Sequence, residues 1–157
     1  MTLDPRSEKN IASCHPMAQP NFRAFVAEAQ ALAAKKGLEY QAICGLRSWE
    51  EQERLYAQGR TTPGPVVTKA RPGSSMHNFG LAIDMGVFRN KKYLDEVEPK
   101  TADALHTEAG KLAAKHGLRW GGTFSTIYDA PHFELNVSFT LAQLREMRSP
   151  GQWVKLA

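Results

Sequence analysis

In the run Gly80-Leu81-Ala82-Ile83-Asp84-Met85-Gly86-Val87 an aspartate stands among apolar neighbours in what otherwise reads as a buried strand. A carboxylate taken out of water on such a strand is expensive unless a cation or hydrogen-bond donors face it. Any fold this chain adopts must therefore bring positive charge, from a basic side chain or a metal ion, to Asp84. Alternation along the strand sets Asp84, Ala82 and Gly80 on one face, where the small residues leave room for a ligand or ion.

The elements around this strand predict an α+β chain. Phe22, Phe25, Val26, Ala29, Leu32 and Ala33 form the apolar stripe of a helix that begins near Pro20 and stops at Gly37. Leu38 to Gly45 reads as a strand, and Ser48 caps a helix from Trp49 to about Gln58, with Glu51 placed for a capping box. From Gly59 to Ser75 the chain is rich in Gly, Pro, Ser and Thr, so it reads as a loop holding only a short Val66-Val67 strand. A helix over Thr101 to His116, a strand at Leu118 to Trp120, a turn over Trp120 to Thr123, a strand at Pro131 to Val137 and a helix over Thr140 to Met147 follow. Irregular mixing without βαβ alternation predicts one compact domain over residues 1–157, with a small, mostly antiparallel sheet flanked by helices. Leu32 to Tyr40 and Leu112 to Trp120 echo each other, which shared helix-capping chemistry explains without a duplication.

With 42% hydrophobic residues in 157, the core suffices without disulfides or a structural metal. Cys14 and Cys44 are accordingly expected as free thiols, a bridge between them being the alternative. A formal charge of +4 suits an anionic polymer. The basic residues form no run, however, so nucleic acid is not expected, and no apolar stretch is long enough to span a membrane. The polar N-terminus lacks a signal-peptide core, which points to the cytoplasm of the producing cell.

Of the histidines, His15, His106 and His116 lack neighbours at metal spacing and read as packing or surface residues. His77 enters the Asp84 strand. His132 and Glu134 share a strand face, and Asp129 reaches in from the preceding turn. Two imidazoles and a carboxylate, with water, would complete the open tetrahedral zinc site of a hydrolase. The plainer alternatives are a loop-capping His77, an Asp84 paired with arginine and a His132 satisfied in the core.

The spaced motifs Ser75-x-His77-x-x-Gly80-x-Ala82-x-Asp84, Trp120-Gly121-Gly122 and Asp129-x-Pro131-His132-Phe133-Glu134 resemble the zinc D-Ala-D-Ala peptidase family, in its L-alanyl-D-glutamate peptidase branch of phage endolysins and wall hydrolases. Lys9-Asn10-Ile11, His15-Pro16, Gly45-Leu46-Arg47-Ser48, Glu51-Gln52 and Leu55 to Arg60 extend the resemblance over about residues 7–135, leaving 138–157 as a terminal helix and tail. It implies a zinc site in a cleft on the sheet, held by His77, Asp84 and His132, with Asp129 as catalytic base and Arg47 near the substrate carbonyl. Arg47 has a second reading, pairing with Glu50 or Glu51. Ser75 either binds substrate or orients backbone. Glu134 is either an acceptor for a ligand histidine or exposed, Gln52 is local support, and Trp120 is either a cleft wall or core.

Phe124 departs from the tryptophan that relatives often carry there, and Cys14 and Cys44 from aliphatic residues. The implied function is zinc-dependent hydrolysis of a peptidoglycan stem-peptide bond, L-Ala to D-Glu foremost. The protein would be a monomer that reaches the wall through a separate pore and makes no stable membrane association. The alternatives are a D-alanyl-D-alanine carboxypeptidase or dipeptidase, and a non-catalytic wall-binding or virion module of the same fold.

Overall fold

The computed structural model describes residues 2–156. The chain starts with a helix that the sequence reading missed, α1 (Pro5–Ala12), capped by the Asp4 carboxylate on the Ser7 N–H, with Pro5 in the first turn where no backbone donor is needed. α2 (Gln19–Ala34) follows, burying Phe22, Phe25, Val26, Ala29 and Ala33. Gly37 then takes a left-handed φ of 71° and turns the chain into β1 (Glu39–Cys44). After α3 (Trp49–Ala57) and the long loop come a 3-10 turn (Met76–Phe79), β2 (Ala82–Arg89), β3 (Lys92–Tyr93), α4 (Leu94–Val97) and α5 (Pro99–Ala113). A second 3-10 turn ends at Gly117, again with φ of 71°, so the two echoed segments share a glycine cap. β4 (Leu118–Trp120), β5 (His132–Leu135) and α6 (Leu141–Met147) complete the order.

The sheet runs β1-β2-β5-β4, with β3 hairpinned onto β2, and its pairings are antiparallel throughout the described residues. Register decides everything about the two faces. Ile83 pairs with Phe133, and Phe133 meets Phe25 of α2 with ring centroids 4.5 Å apart, so this face is the core. Asp84 pairs with His132, Ala82 with Glu134 and Glu134 with Arg119, so the opposite face carries a polar stripe across three strands. Because side chains alternate, a slip of one residue would exchange the two.

Several expectations need correcting. Val66 and Val67 form no strand; both are more than half exposed and find no pairing partner. Gly80 lies outside β2, capping the 3-10 turn with φ of 68°, so the residues beside Asp84 on its face of β2 are Ala82 and Gly86. At α3 Ser48 accepts from the Glu51 N–H, but the Glu51 carboxylate turns to Arg54 and the reciprocal half of the box is not made. The full capping box occurs at α6, between Thr140 and Gln143. Cys14 and Cys44 are both free thiols, and burial pushes Cys14 up to about 12.

The packing histidines have specific partners. His106 is buried between the Tyr40 hydroxyl at 2.7 Å and Asp95 at 2.6 Å, and the second Asp95 oxygen accepts from the Val87 N–H. His116 pairs with Glu28, and His15 bonds the Val154 carbonyl at 2.7 Å.

Candidate metal centre

The polar stripe on the sheet lines a cavity of about 710 Å³. Asp84 projects from the middle of β2, His132 from the adjoining position of β5, and His77 from the 3-10 turn that leads into β2. His77 Nε2 lies 3.1 Å from Asp84 Oδ1, and His132 Nδ1 lies 3.4 Å from the same oxygen. The two rings stand edge to face with centroids 5.1 Å apart.

The outer nitrogen of each ring is spoken for. His77 Nδ1 bonds the Gly45 carbonyl at 2.8 Å, which requires the proton on Nδ1, so Nε2 carries the lone pair when the ring is neutral. His132 Nε2 faces Glu134 Oε1 at 2.8 Å, so its free nitrogen is Nδ1. Glu134 is buried and takes a second bond from Arg119, which excludes the exposed reading of that residue. Carboxylate and carbonyl acceptors behind imidazoles are what fix histidines as metal ligands.

His77 Nε2 is the buried side-chain atom that, among the described residues, has no hydrogen-bond partner. Its 3.1 Å approach to Asp84 is close but not aligned as a hydrogen bond. A buried ring nitrogen without a hydrogen-bond partner, beside a carboxylate and a second imidazole, fits a divalent ion with borderline nitrogen and oxygen preferences, zinc foremost.

Cys44, expected as a free thiol or a partner of Cys14 and not as a site residue, also stands close: its ligand atom, one from His77 and one from Asp84 lie within 4.8 Å of one another. A bulge in β1 between Ala42 and Cys44 sets Cys44 opposite Asp84. Its sulfur lies 3.9 Å from His77 Nδ1, the nitrogen bonded to Gly45, and so sits behind the ring. His132 is not part of that tight group, but its Nδ1 approaches the same Asp84 oxygen as His77 Nε2 does. No sequence signal marks the bulge.

The remaining residues frame these three. Arg47 reaches Gln52 Oε1 at 3.1 Å, Cys44 Sγ at 3.7 Å and Asp84 Oδ2 at 3.8 Å, so it faces the site and not Glu50 or Glu51. Gln52 is fully buried and ties Arg47 to the long loop through the Ala70 carbonyl at 2.8 Å. The Ser75 hydroxyl accepts from the His77 N–H at 3.3 Å and also lines the cavity. Asp129 stands at the rim, half exposed, with Oδ2 4.0 Å from His132 Nδ1. Trp120 is half-buried, its indole N–H bonded to the Ala130 carbonyl at 2.7 Å, and it braces the turn that carries Asp129. Phe124 lays its ring 5.7 Å from His132.

Charges at the site are strongly coupled. Burial opposes a charged His77, but the Asp84 carboxylate outweighs it and holds the imidazole up at about 10. Burial likewise opposes a charged Asp84, yet the two histidines hold it far below the usual carboxylate range. For Asp129, burial and then the negative Asp84 both act upward.

A pH dependence follows. A raised histidine pKa contributes stability that is fully present below about 6.5 and lost as pH rises through about 10, so the metal-free protein weakens over that window. Metal requires the neutral ring, so uptake near pH 7 must expel the proton. The apparent zinc affinity is expected to rise by up to about tenfold per pH unit for each proton displaced, measured by chelator competition between about pH 6 and 9. A flat profile would remove His77 from the ligand set.

Two imidazoles and a carboxylate around one point, with a fixed guanidinium and a free carboxylate on the rim, are the parts of a hydrolytic site. A family model described as D-alanyl-D-alanine carboxypeptidase matches residues 68–135. The chain is 37% identical over 127 residues to the peptidoglycan L-alanyl-D-glutamate endopeptidase CwlK of Bacillus subtilis (strain 168), covering 77% of this chain and 72% of that protein. It therefore belongs to the D-alanyl-D-alanine carboxypeptidase family of peptidases.

Solved structures agree on the fold. The L-Ala D-Glu endopeptidase ChiX of Serratia marcescens aligns with a TM-score of 0.51 at 22% identity, covering 86% of this chain and 90% of that one. The vancomycin resistance D,D-pentapeptidase VanY, in an E175A mutant complexed with Zn(II), aligns at 0.56 and 14% identity, covering 85% and 78%.

Proposed function

We propose that this chain is a zinc-dependent peptidoglycan endopeptidase that hydrolyses the bond between L-Ala and D-Glu in the stem peptide. The observation that carries the reading is the convergence of His77, Asp84 and His132 on one point of the cleft, with the orphaned His77 Nε2 aimed into it. The relationship to CwlK supports the choice of bond.

In this reading His77, Asp84 and His132 hold the zinc. When bound there, zinc supplies Lewis-acid chemistry: it polarises a carbonyl and makes water acidic enough to ionise near neutral pH. Asp129 takes the proton of the attacking water and delivers it to the leaving amine. Its raised pKa makes it the better base, and the leaving amine, more basic still, takes the proton on. Arg47 keeps its charge throughout and, steered by Gln52, meets the oxyanion that develops on the scissile carbonyl. Glu134, closed by Arg119, keeps His132 in one tautomer. Ser75 holds the His77 turn and offers a hydroxyl to the bound peptide.

No described helix is long and apolar enough to cross a membrane. The reading further takes the protein as a monomeric lysin that reaches the wall through a separate pore. Digestion of purified peptidoglycan tests the bond. New N-terminal D-Glu is the expected product by mass spectrometry. Released D-Ala would replace the reading with the carboxypeptidase or dipeptidase activity that the family description names.

A further inference from the structure

A second cavity, of about 400 Å³, backs onto the catalytic cleft. One of its walls contains Leu46 and Ser48, the neighbours of Arg47, and Asn78, the neighbour of His77. The two cavities thus share the chain segments that carry those site residues. The opposite wall is the C-terminal segment with Gln152 and Trp153, which lies beyond the residues 68–135 matched by the family model.

Trp153 is fixed on one side and open on the other. Its ring lies against Gly80, where an added Cβ would come within 2.7 Å, and against His15 at 5.3 Å between centroids. The bond from His15 to the Val154 carbonyl pins the segment. The indole still remains 41% exposed and lines the cavity. A second indole, Trp49, lines the same cavity and carries the Arg148 guanidinium 4.0 Å above its ring.

We propose that this cavity binds an amino-sugar unit of the glycan strand to which the stem peptide is attached. A pyranose ring presents an apolar C–H face and a rim of hydroxyl and amide groups. The open indole of Trp153 and the exposed amide of Gln152 on the same cavity complement both. The proposal rests on the L-Ala to D-Glu reading. L-Ala is the stem residue joined directly to the sugar's lactyl group, so a chain that cuts behind it works one residue from the glycan. The D-Ala end lies several residues away, and a sugar pocket beside the cleft therefore selects the near bond.

The zinc-loaded protein is tested with N,N′,N″-triacetylchitotriose as binding probe and with two substrates, a stem peptide bearing its disaccharide and the same peptide without sugar. The trimer is expected to bind saturably by calorimetry and to lose that binding in Trp153→Ala and Gln152→Ala. Either variant should raise KM for the sugar-bearing substrate by about tenfold, the scale of losing a good aromatic contact, with kcat and all constants for the bare peptide unchanged.

Four results would overturn the proposal: no trimer binding, equal KM for the two substrates in the wild-type protein, equal losses on both substrates in both variants, or bare peptide displacing the trimer. Turnover without trimer binding sinks the pocket and leaves the hydrolase. Trimer binding without turnover of either substrate sinks the hydrolase and leaves the pocket.

Discussion

Asp84→Ala and His132→Ala proteins are expected to emerge from dialysis without zinc and to leave peptidoglycan uncut. Each substitution removes a donor from the proposed cage of three, and the next residue on the same strand face does not replace it. Beyond His132 on its face of β5 stands Glu134, which is already engaged with Arg119. Beside Asp84 on β2 stands Ala82, which offers no donor. Loss of Asp84 also removes the charge that holds a proton on His77, so burial then favours the neutral ring and the fold tolerates the change. Metal analysis on the folded variants decides the matter. Full zinc occupancy in either would mean that the ion sits elsewhere, with Cys44 the first residue to examine.

Asp129→Asn separates metal binding from chemistry. The amide keeps the shape of the side chain, and the backbone bonds that place it, from its N–H to Gly121 and from the His132 N–H to its carbonyl, do not depend on the carboxylate. Zinc content and KM are therefore expected to stay near wild type. Turnover should fall by about 10² to 10⁴, because an amide cannot accept the proton of the attacking water. Wild-type kcat in this variant would transfer the base to another group.

Much of this architecture was legible in the chain. Asp84 in an apolar strand demanded positive neighbours, and the structure supplies two imidazoles and, at 3.8 Å, Arg47. Alternation placed His132 and Glu134 together because β5 is regular. Legibility ended where tertiary contacts decide. α1 buries only Ser7 and Ile11 among its residues, too thin a stripe to stand out from a polar terminus. The Val66-Val67 pair has strand propensity but no partner. Cys44 faces Asp84 only through a bulge, and a bulge carries no compositional mark. Trp153 reads as tail residue until the fold lays it on Gly80.

The pairing of β2 with β5 has a consequence for how the molecule assembles. His77 and Asp84 are near in sequence and meet through a short turn, whereas His132 arrives only when a distant segment zips onto the sheet. In the proposed site an ion held by the first pair would gain its third donor through this pairing, so chelation would act as a clasp on a long-range junction. Thermal unfolding of the loaded protein should then track free-ion concentration.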